Sequence, residues 1–221
     1  VIDQGLQIFG GYGFLEEYPL APAYRDDRVN QIWEGTNEIN RQIITGFIMK
    51  KALNEELPFR DAIRQIDSFL NTEPDVDDTL LAKECDTVES AKKIGLYLFN
   101  EALSEFAQDL KNEHQIVEML SDIFIDIYCA ESTIIRVKKI MSSDKPVAST
   151  VDIAKVFTTE MVDRILAKTH TILNAVFAGS VSTEAKDTVD KFEERMRLSN
   201  NVVQLKRNIA EYVFDQKVYP Y

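Results

Sequence analysis

The stretch HQIVEMLSDIFIDIYCAESTIIRVKKIM, residues 114–141, decides the fold class. Ile116, Met119, Leu120, Ile123, Phe124, Ile127, Ile134 and Ile135 recur at three- and four-residue spacing, the period of one face of an α-helix. No proline or glycine interrupts the run, so it reads as one long helix. Its neighbours repeat the pattern. Upstream, 77–111 carries Val88, Ala91, Gly95, Leu98, Ala102, Phe106 and Leu110 on one side. Downstream, past a joint at 142–146, 150–178 carries Val151, Ala154, Phe157, Met161, Ile165, Ile172 and Val176. Two further helices are predicted at 183–198 and 202–215. Short polar joints and long amphipathic stripes predict an antiparallel helix bundle.

Towards the N-terminus, 59–70 reads as a short helix ending in the polar turn Asn71-Thr72-Glu73-Pro74-Asp75. The pattern breaks at 54–58, and the domain boundary is placed there: 1–57 as one unit, 58–221 as the bundle. In the first unit, helices are predicted at 1–9, 19–30 and 37–53, with Tyr12-Gly13-Phe14 as a loop. Runs rich in β-branched residues are too short to make a sheet. The class is all-α.

Composition limits the functions available. Of 221 residues, 45% are hydrophobic and 28% charged, ordinary for a globular chain that buries a core. The net charge of −12 excludes a nucleic-acid surface and argues against docking on anionic lipid. Residues 1–53 hold 5 basic and 7 acidic side chains, so acidity is concentrated in the bundle. No apolar run is long enough to span a membrane. Cys85 and Cys129 lack CxxC spacing and read as buried free thiols. His114 and His170 form no ligand pattern, so no metal site is expected. The five methionines (49, 119, 141, 161, 196) fall on helical stripes and read as core. Asp126 and Glu131 are expected to cap, or to pair with Arg136 or a neighbouring helix. The opening Val1-Ile2-Asp3-Gln4 reads as mid-helix, and a piece of a longer protein is expected.

Chemistry points to Trp33-Glu34-Gly35-Thr36. A carboxylate between Ile32-Trp33 and a glycine, at a loop-to-helix junction, is expected in an apolar setting. Burial would raise its pKa and suit it to proton abstraction. Gly35 leaves the backbone open to a ligand, and Thr36 can cap the next helix, whose first N–H groups favour anions. A surface glutamate beside an ordinary cap explains the same residues. Arg25 with Asp26 or Asp27 reads as a structural ion pair.

Residues 4–53 resemble the C-terminal stretch of the acyl-CoA dehydrogenase flavoenzymes. The resemblance is carried by Gln7-Ile8-Phe9-Gly10-Gly11-Tyr12-Gly13-Phe14, Glu17-Tyr18-Pro19, Tyr24-Arg25-Asp26 and Ile32-Trp33-Glu34-Gly35-Thr36-Asn37-Glu38-Ile39-Asn40-Arg41. It implies that Glu34 is the base removing the α-proton of an acyl-CoA thioester while a hydride leaves the β-carbon for FAD. It further implies that Gln7, Ile8, Phe9, Gly10 and Gly11 reach the FAD of a neighbouring subunit, in a homodimer or dimer of dimers. Thr36, Asn37 and Glu38 match an FAD-contacting run, and Gly35 and Trp33 match substrate contacts. Trp33 stands where the family often has Tyr, and Glu38 departs from a common Gln; a carboxylate accepts hydrogen bonds but cannot donate them. Electron-transfer flavoprotein is the implied electron acceptor.

Residues 59–221 resemble, more loosely, the additional C-terminal domain of very-long-chain acyl-CoA dehydrogenases, through Met119-Leu120-Ser121-Asp122-Ile123-Phe124-Ile125-Asp126-Ile127-Tyr128-Cys129-Ala130-Glu131-Ser132. The expected function is thus α,β-dehydrogenation of acyl-CoA to trans-2-enoyl-CoA by the whole protein, with no FAD retention and no turnover in this chain alone. The alternative is a helical module for subunit assembly or partner binding. The expected compartment is bacterial cytoplasm, with the mitochondrial matrix as alternative.

Overall fold

The computed structural model describes residues 1–74, 79–142 and 148–217. Asp75, the expected helix start at 77 and positions 143–146 of the expected joint lie outside them. In chain order the elements are α1 (Ile2–Phe9), α2 (Gly11–Phe14), α3 (Leu20–Val29), α4 (Asn37–Leu53), α5 (Phe59–Arg64), α6 (Ile66–Leu70), α7 (Ala82–Phe106), a 3-10 turn (Ala107–Asn112), α8 (His114–Met141), α9 (Ala148–Val176), α10 (Thr183–Met196) and α11 (Val202–Gln216). Among the described residues no strand occurs, and the class is all-α.

Local chemistry sets the ends. Thr36, Ser182 and Asn201 cap α4, α10 and α11, each accepting from the backbone N–H three residues on at 3.1–3.2 Å. Such caps satisfy amides that the helix itself leaves without partners. Lys50 and Lys51 close the last turn of α4, where cations oppose the negative end of the dipole. Three expectations are corrected. Tyr12-Gly13-Phe14 is a short helix rather than a loop. The helix expected at 59–70 is two pieces that meet at Gln65. The long helix ends as α-helix at Phe106, because Ala107 takes a φ of 47° and the chain tightens into a 3-10 turn.

The core lies among α7, α8 and α9, which pack on one another along their apolar stripes. Ala91, Leu98, Leu120, Ile123, Met161 and Ile165 are fully buried there. Helices α5 and α10 cover α7, with Phe59 set edge-on to Phe99 at 5.4 Å. Helix α11 lies on α9, and α4 lies on α8. Helices α1, α2 and α3 pack chiefly on one another.

Polar contacts lock the helices in register. Arg195 of α10 donates to Asp86 of α7 at 2.8 Å and to the carbonyls of Phe69 and Thr72, with its guanidinium 3.9 Å from the centre of the Phe69 ring. Asp126 and Glu131 pair with neighbouring helices rather than Arg136: Asp126 takes a fork from Arg164 of α9, and Glu131 meets Lys92 of α7. Both cysteines are free but half-buried, not buried. Met161 and Met196 are core, Met49 and Met119 pack on its edge, and Met141 at the end of α8 is exposed.

Candidate active site

The turn between α3 and α4 holds Glu34. Past Val29 the chain winds once more, with the amides of Ile32 and Trp33 bonded to the Val29 carbonyl at 2.9 and 3.1 Å. The Trp33 indole N–H donates to Asn30 Oδ1 at 3.0 Å. Then Glu34 and Gly35 both take positive φ, 53° and 97°. A non-glycine residue in the left-handed region carries strain and occurs more often at functional turns than elsewhere. The turn is braced from within α4: Asn40 Nδ2 donates to the Gly35 carbonyl at 3.0 Å, and the Asn37 amide bonds back to Gln31 O at 3.2 Å. At the start of α4, Glu38 accepts from its own backbone N–H and then from the Thr36 hydroxyl, which holds its carboxyl below the usual range. It serves as an acceptor there, as its chemistry requires.

The apolar burial expected around Glu34 is not formed. Glu34 is exposed, and its flanking residues Ile32 and Trp33 are themselves 55% and 58% exposed. Apolar neighbours in sequence shield a carboxylate only where another element closes over them, and none of the described residues does so here.

Gln7, Ile8 and Phe9 form the last turn of α1, all exposed, and Gly10 and Gly11 carry the chain into α2. Gly10 has φ 56°, and nothing lies within 4 Å of where a Cβ would sit at either glycine, so the backbone there is open to approach. Arg25 of α3 forms a two-pronged pair with Glu16, the NH2 contact at 2.7 Å, and not the expected pair with Asp26 or Asp27. That fork ties α3 to the turn before it.

Sequence reasoning missed the fastening of α4 to α8. Arg41 Nε donates to Asp122 Oδ1 at 2.7 Å, a bond that raises the guanidinium's pKa further. Arg41 lies in the quoted motif and Asp122 in the bundle stripe, but no local pattern links residues 81 apart. His170 is exposed and meets Glu193 at 2.9 Å. Among the described residues no group of three or more His, Cys, Asp or Glu side chains is placed to hold a metal.

Two family models, both described as "Acyl-CoA dehydrogenase, C-terminal domain", match this chain, one over residues 90–207 and the other over residues 1–49. The chain belongs to the acyl-CoA dehydrogenase family. Among the members of that family that it resembles, a "Probable acyl-CoA dehydrogenase" of Bacillus subtilis (strain 168) is 32% identical over 99% of this chain. The chain spans only 37% of that relative's length. The short-chain-specific acyl-CoA dehydrogenase of Megasphaera elsdenii is 46% identical over 50 residues, 23% of this chain and 13% of the relative. A crystal structure of an acyl-CoA dehydrogenase complexed with FAD from Bacillus anthracis superposes with a TM-score of 0.89 at 32% identity, covering 98% of this chain and 37% of that one. No helix among the described residues is long and apolar enough to cross a membrane.

Proposed function

We propose that the whole protein of which this chain forms part is an FAD-dependent acyl-CoA dehydrogenase, with Glu34 as the base that takes the α-proton of an acyl-CoA thioester. The supporting observation is the turn itself. Glu34, exposed and in the left-handed region, stands just before a capped helix in a turn whose backbone is braced by Asn40 and Asn37, within the motif that carries the resemblance to the family. Such bracing fixes the backbone from which the base projects.

The roles follow from the same surfaces. Glu34 accepts the α-proton, and its own backbone N–H is the donor that would meet the thioester carbonyl as charge develops on it. Gly35 and Trp33 line the substrate side. Gln7, Ile8, Phe9, Gly10 and Gly11, with their open backbone, fit FAD bound to a neighbouring subunit of a dimer or dimer of dimers; Thr36, Asn37 and Glu38 form the second contact. FAD, when bound, supplies the hydride acceptor for the β-carbon. Electron-transfer flavoprotein is proposed as the partner that reoxidises it. Residues 58–221 are proposed as the additional helical domain of the very-long-chain type. Because Glu34 is exposed in this chain, the dry setting that sharpens such a base must come from other parts of the protein. The chain by itself is therefore proposed to be inactive and to hold FAD weakly or not at all. The relatives named above are bacterial, which supports a bacterial setting rather than a mitochondrial one.

The test is flavin bleaching in the whole protein under anaerobic conditions, with acyl-CoAs of graded length, for wild type and Glu34→Gln. Loss of the base should slow bleaching by about 10³-fold. Equal bleaching by both would remove Glu34 from the role.

One observation favours the second reading, an assembly module. Ile125, Tyr128 and Ile135 of α8 share one face and are 37%, 72% and 59% exposed. If the whole protein bleaches with no acyl-CoA yet loses its oligomeric state when residues 58–221 are removed, that reading replaces the first.

A further inference from the structure

Helix α4 meets α8 through a polar seam rather than through an apolar stripe alone. Arg41 Nε donates to Asp122 at 2.7 Å, with Glu118 3.8 Å away, while its NH1 donates to the Asn37 carbonyl in the first turn of α4 at 3.2 Å. One turn on, the Thr45 hydroxyl, 1% exposed, stands 3.1 Å from the Val117 carbonyl and 2.6 Å from Ser121 Oγ. Ser121 in turn donates to the Arg41 carbonyl. Across α8 the charges continue in alternation. Lys168 of α9 lies 3.8 Å from Asp122 and 4.0 Å from Asp126, and Asp126 receives the fork from Arg164. Apolar surfaces tolerate sliding, whereas half-buried charges and hydroxyls are satisfied in one register only.

The first turn of α4 is also where the Glu34 turn is braced. Asn40 holds the Gly35 carbonyl, and Arg41 holds the Asn37 carbonyl, so α4's register on α8 carries the turn with it. We infer that Arg41 and Asp122 are positioning residues for Glu34: the bundle sets where the base stands through the α4–α8 seam, of which this pair is the closest charged tie. The inference rests on the proposed role of Glu34. A misplacement of 1 Å costs a reaction up to about 10²-fold in rate, so a loosened seam is readable in kinetics.

The experiment uses the whole FAD-loaded protein and measures the limiting rate of flavin reduction, its pH profile, acyl-CoA affinity, FAD content and melting temperature. The variants are Asp122→Asn, Arg41→Lys, Glu34→Gln and, as a bundle control, Asp86→Asn, which breaks the Arg195 pair between α7 and α10. Asp122→Asn should lower the limiting rate about tenfold or more and shift its pH profile, with affinity and FAD content within about twofold of wild type. Asp86→Asn should lower the melting temperature and leave the rate unchanged. Arg41→Lys keeps the charge but has a single ammonium for two acceptors, and a loss of about threefold or more is expected. It carries the test if Asp122→Asn does not fold. Should Asp122→Asn and Arg41→Lys both reduce flavin at the wild-type rate while Glu34→Gln does not, the positioning role is overturned and the base stands. If Glu34→Gln keeps the wild-type rate, the base reading fails and takes this inference with it.

Discussion

Glu34 and Gly35 occupy the left-handed region one after the other, and the two positions differ in what they tolerate. Gly35 at φ 97° has Asn40 Oδ1 2.9 Å from the site of an added Cβ. Gly35→Ala therefore meets both backbone strain and the side chain that braces the turn, and a loss of about 1–3 kcal/mol is expected by chemical denaturation. Thr36→Ala removes the cap bond to Ile39 and should cost about 1 kcal/mol in the same assay, most of it from the start of α4. The cap was legible from Thr36 followed by a helical stripe. The exposure of Glu34 was not, because two apolar neighbours in sequence say nothing about which element lies above them in space. Arg25 shows the same limit: its hydrogen-bonded partner is Glu16 on the preceding turn, not one of the adjacent aspartates that local reading favoured.

Among the elements, α7 packs against both α8 and α9 and buries side chains along most of its length. Leu98 is fully buried, and Leu98→Ala should cost about 2–5 kcal/mol, the transfer free energy plus a cavity that neighbouring helices can only partly close. One turn on, Glu101 is half-buried, and desolvation followed by repulsion from Glu184 raises its carboxyl pKa, against a weak bond from Asn100. A carboxyl whose pKa is raised on folding is best tolerated below its unfolded value, and stability is lost as pH rises from about 4.5 through the folded pKa. Glu101→Gln should therefore raise stability at neutral pH and flatten its decline above pH 4.5, as followed by thermal melts across pH. Helix positions were legible to within a few residues because their stripes are long, and at α4, α10 and α11 because a capping side chain marks the start. Where they failed, at Gln65 and Ala107, the break comes from backbone geometry that no residue type announced.

The whole molecule is a bundle whose buried cluster draws on residues from Phe59 onward, with Ile48, Met49 and Ala52 of α4 resting on its edge. The division at 57/58 predicts that residues 58–221 fold without the rest and melt in one cooperative step; a broad, uncooperative melt would count against that division. All-α architecture was readable from periodicity alone, but the ties that set helix register were not. Arg41 with Asp122, Arg164 with Asp126 and Arg195 with Asp86 join residues 81, 38 and 109 positions apart. Each is an ordinary surface charge until the fold brings it to its partner. The seam between α4 and α8 has a further consequence, for motion within the native state. Because α4 buries only Thr45 and otherwise rests on the edge of the cluster, it can part from α8 without unravelling α7, α8 and α9. Its amide protons should exchange with solvent through that partial opening, at a free energy below global unfolding, while those of the three long helices wait for the molecule to come apart.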